Sequence, residues 1–467
     1  MDSSVKSFNP NKHLKEQFVS NLEGSSILEI FALATVVPAL FLLQHLFCSS
    51  VIKDPNAEKF SMKKNDDLVV GFKSWRVYMA RMTIDFLLIV LPMLLFFTVL
   101  SEWTCVGAVW LMSLLIFLIA AKRYRASLYL EDEVNSLRTI ISSYRVTVMI
   151  ATCLCILAVD FKVFPRRYAK TETYGTSLMD LGVGSFVLAN SLVSRQARGF
   201  STLKLRGALQ STSPLIVMGI ARLVSTVGID YQVHVGEYGV HWNFFFTLAA
   251  VSILTSIINV PPKYSGILGL LILVGYQICL THGLNGYLLS NERGTDIVSQ
   301  NKEGIFSIFG YWGIYLLGVQ LGSYLFFGNS KQISRSNKWA RIRVWVLALL
   351  FWLFTILLDR HVERVSRRMC NLAYVTLVLA QNLQVLGILM LSDFIPGHKI
   401  SILEEAFNRN LLGSFLLANV FTGLVNLFVD TMFASLVSAL ATLGAYAFIL
   451  CLLVGLADFY GIKSKFW

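Results

Sequence analysis

The residues able to do chemistry are concentrated in a few polar stretches between long apolar runs. The first runs from Asp160 to Glu172 and reads DFKVFPRRYAKTE. Asp160 follows the apolar run from Val146 to Val159, so it closes a helix at the edge of a hydrocarbon layer. Desolvation there raises a carboxylate towards the range of a general base, and nearby cations lower it. Pro165 stops simple helix continuation and lets the chain fold back. A turn of this kind can bring Lys170 near Asp160, pairing a proton acceptor with a cation that steadies developing negative charge. Arg166, Arg167 and Lys170 can equally form a phospholipid-binding cluster that sets topology.

Three further stretches carry the same residue types. Tyr174 to Phe186 places Asp180 at the mouth of an apolar run, beside Gly182, Ser185 and Ala189 at helical spacing. Small residues in that pattern let helices pack closely. An ionisable group one turn inside a membrane points to function or to a buried ion pair, and Arg222, in the next apolar run, is the expected partner. Gly228 to Asn243 holds His234, Glu237, His241, Trp242 and Asn243 without a Lys or Arg. The two histidines stand seven apart and lack an H-E-x-x-H core, so no metal is expected, while the aromatics suit either an interfacial belt or a sugar or inositol ring. Asn301 to Ser307 places Glu303 at a helix start, where an acid balances the helix dipole. No Walker loop, G-x-S-x-G elbow or zinc-protease core is present.

These stretches sit in a chain of 467 residues that is 55% apolar and only 15% charged, with a mean hydropathy of +0.63. Soluble domains carry roughly 25% charged residues, so a soluble enzyme with a single anchor is excluded. Scanning for about 20 apolar residues per span yields thirteen candidates, near 27–49, 83–100, 104–121, 146–160, 176–193, 211–229, 243–261, 264–283, 305–327, 344–359, 371–392, 411–429 and 432–457. The expected fold is an all-α integral membrane protein of about 13 transmembrane helices in one polytopic domain over 27–457, with tails 1–26 and 458–467. The spans 146–160 and 176–193 are short, consistent with tilt or partial re-entry. Residues 1–26 are polar, so the first span is expected to serve as the insertion signal.

Lys and Arg beyond the odd-numbered spans outnumber those on the side of the N-terminus about two to one. That bias puts the N-terminus in the lumen and the C-terminus in the cytosol. The net charge of +12 is therefore read as a topology signal, and no nucleic acid is expected. Lys463 and Lys465 stand fifth and third from the end, a spacing that fits either a dilysine retrieval address or an interfacial anchor. Cys153 and Cys155 make only a C-x-C on a presumed helix, and the seven cysteines imply no disulfide framework.

The chain resembles the inositol acyltransferase family of glycosylphosphatidylinositol (GPI) anchor biosynthesis. The resemblance lies in GSSILEI from Gly24, AVDFKVFPRRYAKTETYGTSLMDLGVGSF from Ala158, HVGEYGVHWNFFFTL from His234, NKEGIFSIFGYWGIYL from Asn301 and LLANVFTGLVN from Leu416. It implies a multi-pass endoplasmic reticulum enzyme that moves a fatty acyl group, usually palmitoyl, from acyl-CoA to the inositol 2-hydroxyl of glucosaminyl-phosphatidylinositol. In such a family Asp160 and Lys170 match the catalytic pair, and Val233 stands where an acid is more usual. Arg166, Arg167, Asp180, Arg222, His234, Glu237, His241, Trp242, Asn243 and Glu303 are then candidates for binding the glycolipid. Cytosolic cations, for example Lys122, Arg123, Arg125, Arg145, Lys204 and Arg206, are candidates for the CoA phosphates. Acyl-CoA is expected as co-substrate with no covalently bound cofactor, alongside membrane lipids, and no protein partner is inferable. The competing class is a polytopic lipid or solute transporter, which intramembrane Asp180 and Arg222 would also suit.

Overall fold

The computed structural model describes residues 17–18, 20–51, 75–125, 136–200, 205–226, 235–328, 335–395 and 400–462. Lys204, His234, Lys463, Lys465 and the side chain of Arg125 lie outside the described residues. The chain is an all-α polytopic membrane protein, and among the described residues there is no strand, only isolated bridges from Gly24 and Ser25 to Thr176.

In chain order the helices are α1 (Ile27–Val51), α2 (Trp75–Phe96), α3 (Thr104–Arg125), α4 (Ser136–Ala158) and α5 (Leu181–Leu192). Next come α6 (Leu205–Thr226), α7 (Phe244–Ile258), α8 (Pro262–Leu289), α9 (Lys302–Phe327) and α10 (Asn337–His361). The last four are α11 (Leu372–Leu389), α12 (Ile402–Arg409), α13 (Leu411–Phe428) and α14 (Leu436–Phe459).

Eleven helices among the described residues are long and apolar enough to cross a membrane. The fifth and seventh of the thirteen expected spans are instead α5, with 12 residues, and α7, with 15. At about 1.5 Å per residue, α5 extends only about 18 Å, well short of a roughly 30 Å hydrocarbon layer. The fourth span differs the other way. Helix α4 has 23 residues, because the ten residues from Ser136 to Arg145, mixed polar and apolar, are helical as well. Arg145 therefore stands on a helix and not in a loop.

Two compact units divide the chain. The first gathers residues up to Ile30 with Arg166–Gln384; the second gathers Phe31–Pro165 with residues from Val385 onward. In the first unit α9 packs against α5, α7 and α8. Glycines permit this: a Cβ on Gly322 would run into the Leu192 carbonyl of α5, and one on Gly318 into the Ser191 hydroxyl. The small residue of α5 that meets α11 is Gly184, against Val378 and Tyr374, whereas Gly182, expected on that face, has open space beside it. Ser185 does belong to it, accepting a hydrogen bond of 2.9 Å from Asn382 Nδ2.

In the second unit the short amphipathic α12 touches α2, α4, α13 and α14. Its start is a capping box, Ser401 and Glu404 satisfying each other's backbone N–H groups. It buries Leu403, Ala406 and Phe407, and Glu404 pairs with His45 of α1 at 2.6 Å.

Candidate active site

The segment joining α4 to α5 carries both Asp160 and Lys170, and the unit boundary falls between them, at Pro165 and Arg166. On the α4 side, Phe161 and Phe164 are fully buried and seat the turn in the second unit. Asp160, half-buried, accepts a hydrogen bond of 2.7 Å at Oδ2 from Asn426 Nδ2 of α13. The same amide also donates to the Thr422 carbonyl at 3.1 Å, which fixes its orientation towards the carboxylate.

On the other side of the boundary, Lys170 Nζ donates to both oxygens of Glu237, at 2.8 and 3.0 Å. Glu237 sits on the one-turn helix Val235–Tyr238. Its Oε1 also accepts from Arg367 Nη1 at 3.2 Å, and Arg367 Nε donates to Asp180 Oδ1 at 2.9 Å. Asp180 Oδ2 accepts from the Thr171 hydroxyl at 2.7 Å, and the Thr171 backbone N–H donates to Oδ1 at 3.2 Å. The four charged groups thus join through Thr171 into one circuit with no net charge.

Burial grades across the circuit. Lys170 is 40% exposed, Glu237 17%, Arg367 5% and Asp180 1%. Only the lysine end is open to a substrate. Burial alone would push the Glu237 carboxyl up, but Lys170 and Arg367, with a smaller effect from Arg222, bring it down to about 2. For Arg367, burial favours loss of the proton, and Glu237 and Asp180 outweigh it and hold the guanidinium charged.

The partner expected for Asp180 was Arg222; the structure puts Arg367 there instead. Arg222, exposed on α6, acts on Glu237 through its charge. A helix-to-helix pairing read from neighbouring apolar runs failed because the loop from His361 to Asn371 folds in and supplies the cation.

A model of the GWT1 family matches residues 11–457 of the chain. The chain belongs to the GWT1 family. It is 58% identical to an uncharacterized protein of Arabidopsis thaliana, over 89% of this chain and 95% of that one. It is 34% identical to the phosphatidylinositol-glycan biosynthesis class W protein of Dictyostelium discoideum, over 98% and 99%. It is 32% identical to the glucosaminyl-phosphatidylinositol-acyltransferase PIGW of Mus musculus, again over 98% and 99%.

In this GWT1-family chain a second charged cluster lies beside the first on the sequence. Glu303, buried in the first turn of α9, accepts from Arg293 at 2.7 Å and from Arg368 at 2.9 Å. Its role as a helix-start acid is thus joined by two guanidinium contacts. Residues 235–243 lie over this helix start: the His241 N–H donates to Asn301 Oδ1 at 2.7 Å. Trp242 and Asn243, candidates for substrate contact, have structural partners. Trp242 Nε1 donates to Thr247, and Asn243 caps α7 by accepting from the N–H groups of Phe245 and Phe246. His241 itself is exposed.

Arg167 Nε donates to Glu29 at 2.9 Å, and the Tyr168 hydroxyl donates to the same carboxylate at 2.7 Å. Arg166 lies over the Phe18 ring at 3.9 Å. These contacts tie the turn after Pro165 to the start of α1. The cations proposed for CoA phosphates are divided between the units. Lys122 donates to the Leu46 carbonyl, and Arg123 lies 4.9 Å from the Phe394 ring centroid, both in the second unit. Arg206 is exposed on α6 in the first.

Arg367 and Arg368 were absent from the residues singled out by sequence. One signal was available: alternation over the thirteen expected spans would put the loops 161–175, 230–242, 284–304 and 360–370 on one face, and all four contribute to these two clusters. Two adjacent arginines in the last of them join Lys170 and Arg293 in answering the acids of the other loops.

Proposed function

We propose that the chain is a membrane acyltransferase that moves a fatty acyl group, palmitoyl, from acyl-CoA to the inositol 2-hydroxyl of glucosaminyl-phosphatidylinositol in the endoplasmic reticulum. The observation that carries this is the likeness, over 98% of the chain, to a mouse protein named as a glucosaminyl-phosphatidylinositol-acyltransferase. A cluster of ionisable groups with one exposed ammonium supports it, because acyl transfer passes through an anion that a fixed cation stabilises.

In the proposed reaction Asp160 takes the proton of the inositol hydroxyl as its oxygen bonds to the thioester carbonyl carbon. Lys170 stabilises the tetrahedral oxyanion. Collapse breaks the C–S bond, the thiolate takes the proton from Asp160, and the products are the inositol ester and CoA. No acyl-enzyme is invoked. Asn426 orients the base through its bond to Oδ2, and Glu237 restrains the ammonium. With the N-terminus lumenal, the glycolipid headgroup meets Lys170 on the lumenal face, and the CoA phosphates meet basic helix ends on the cytosolic face.

The test supplies membranes containing the protein with labelled palmitoyl-CoA and glucosaminyl-phosphatidylinositol. The expected product is an acylated glycolipid resistant to phosphatidylinositol-specific phospholipase C. Movement of lipid across the membrane with no such product would overturn the reading in favour of a transporter.

A further inference from the structure

Arg367 stands at the centre of the charged circuit, too enclosed at 5% exposure to meet a substrate. We propose that Arg367 is a positioning residue that holds Lys170 in its working orientation by clamping the carboxylates of Glu237 and Asp180 together. This rests on the acyl-transfer reading of Lys170.

The geometry is a closed loop. Two nitrogens of one planar guanidinium take one carboxylate each, Nε on Asp180 and Nη1 on Glu237. Glu237 grips the Lys170 ammonium with both oxygens. Asp180 grips the next residue in the chain, Thr171, by its hydroxyl and its backbone N–H. The backbone at 170–171 and the tip of the Lys170 side chain are therefore referred to the same guanidinium. A rigid fork suits this task; an ammonium, a single point of charge on a flexible stem, does not.

The loop that carries Arg367 has other anchors. Glu363 accepts from Gln277 Nε2 at 2.7 Å and from Asn371 Nδ2 at 3.2 Å. Val365 accepts from the Gly175 N–H at 2.8 Å. Arg368 is anchored on Glu303. With the loop held by these bonds, the contacts of Arg367 serve the circuit that ends at Lys170.

The circuit also predicts a pH signature. The groups facing Glu237 and Arg367 are Lys170, Asp180, Arg222 of α6, Tyr238, Tyr311 of α9, Cys370 and Tyr374 of α11. Without Arg367, Glu237 loses one of the three cations that hold it at about 2. It then takes up a proton at higher pH, and Lys170 loses its restraint there.

The experiment compares full-length wild type, Arg367→Gln, Arg367→Lys and Lys170→Ala in detergent micelles. Arg367→Gln is expected to lower kcat by about 10²-fold, the scale of a misplaced catalytic group, with KM for both substrates near wild type. Its acidic limb of kcat moves to higher pH. Arg367→Lys restores part of kcat, because it can serve one carboxylate at a time. Separately, an amine-reactive reagent should label Lys170 faster in both Arg367 variants, read by mass spectrometry of the peptide.

Wild-type kcat in Arg367→Lys, or unchanged Lys170 labelling in it, overturns the clamp. Full activity in Lys170→Ala, or no acylated product from wild type, overturns the reading on which it rests, and the labelling rate then still decides whether Arg367 fixes the lysine. Should Arg367→Gln not fold, Arg367→Lys supplies both readouts.

Discussion

Arg367 and Asp180 are joined by an ion pair of 2.9 Å in which both side chains are nearly inaccessible. Such a pair contributes little net stability compared with an apolar replacement, yet removing one partner leaves an uncompensated buried charge. The asymmetry makes the pair a sensitive point for testing the site.

Asp180→Ala should destabilise the protein by about 3–5 kcal/mol, the scale for breaking a buried ion pair. Replacing both residues, as Asp180→Ala with Arg367→Met, should recover a large part of that loss. Thermal unfolding in detergent measures both together with Arg367→Met alone, and a double-variant loss equal to the sum of the two single losses would show that the pair is not coupled.

Glu237 predicts an acid-sensitive contribution to stability. Its carboxyl lies at about 2 in the folded protein, below its ordinary value of 4.5. A depressed carboxylate stabilises the fold fully above its unfolded value, and that stabilisation is lost as the pH falls from about 4.5 towards 2. The melting temperature of wild type should drop through this window more steeply than that of Glu237→Gln, which has no carboxylate to titrate.

Asp160→Asn should lower acyl transfer by about 10²–10⁴-fold, the usual contribution of a general base, while leaving the elution profile in detergent unchanged. Asn426→Ala, which removes the bond to Oδ2 and leaves the base in place, should give a smaller loss. Product formation from labelled palmitoyl-CoA measures both. Near-normal activity of Asp160→Asn would remove it from the mechanism.

Gly322→Val should separate α9 from α5, because its side chain has no room beside the Leu192 carbonyl. Overpacking of this kind costs about 1–3 kcal/mol, and here the obstacle is backbone. A lower yield of folded protein is expected, while Gly182→Ala, with open space beside it, should be tolerated.

Hydropathy is a property of consecutive residues, and so the sequence alone determined that the chain is helical, many times membrane-spanning and punctuated by acidic and basic loops at Asp160–Glu172, Gly228–Asn243 and Asn301–Ser307. The motifs around Asp160 and Lys170 were legible for the same reason, since each lies within one continuous stretch. Which charges meet is a different kind of fact. Lys170 finds Glu237 67 residues later, and Asp180 finds Arg367 187 residues later, across helices whose packing the spacing of apolar residues does not encode. The shortness of α5 and α7 was hidden too, because Leu178, Met179 and Val193 beside α5 and Val260 beside α7 continue the apolar run although they lie outside the helices. Only the tertiary structure decided that Asp180 answers Arg367, because an ion pair depends on which helix ends and loops come within 3 Å or so of each other, and that is set by the packing of glycine-lined faces far from the charges themselves.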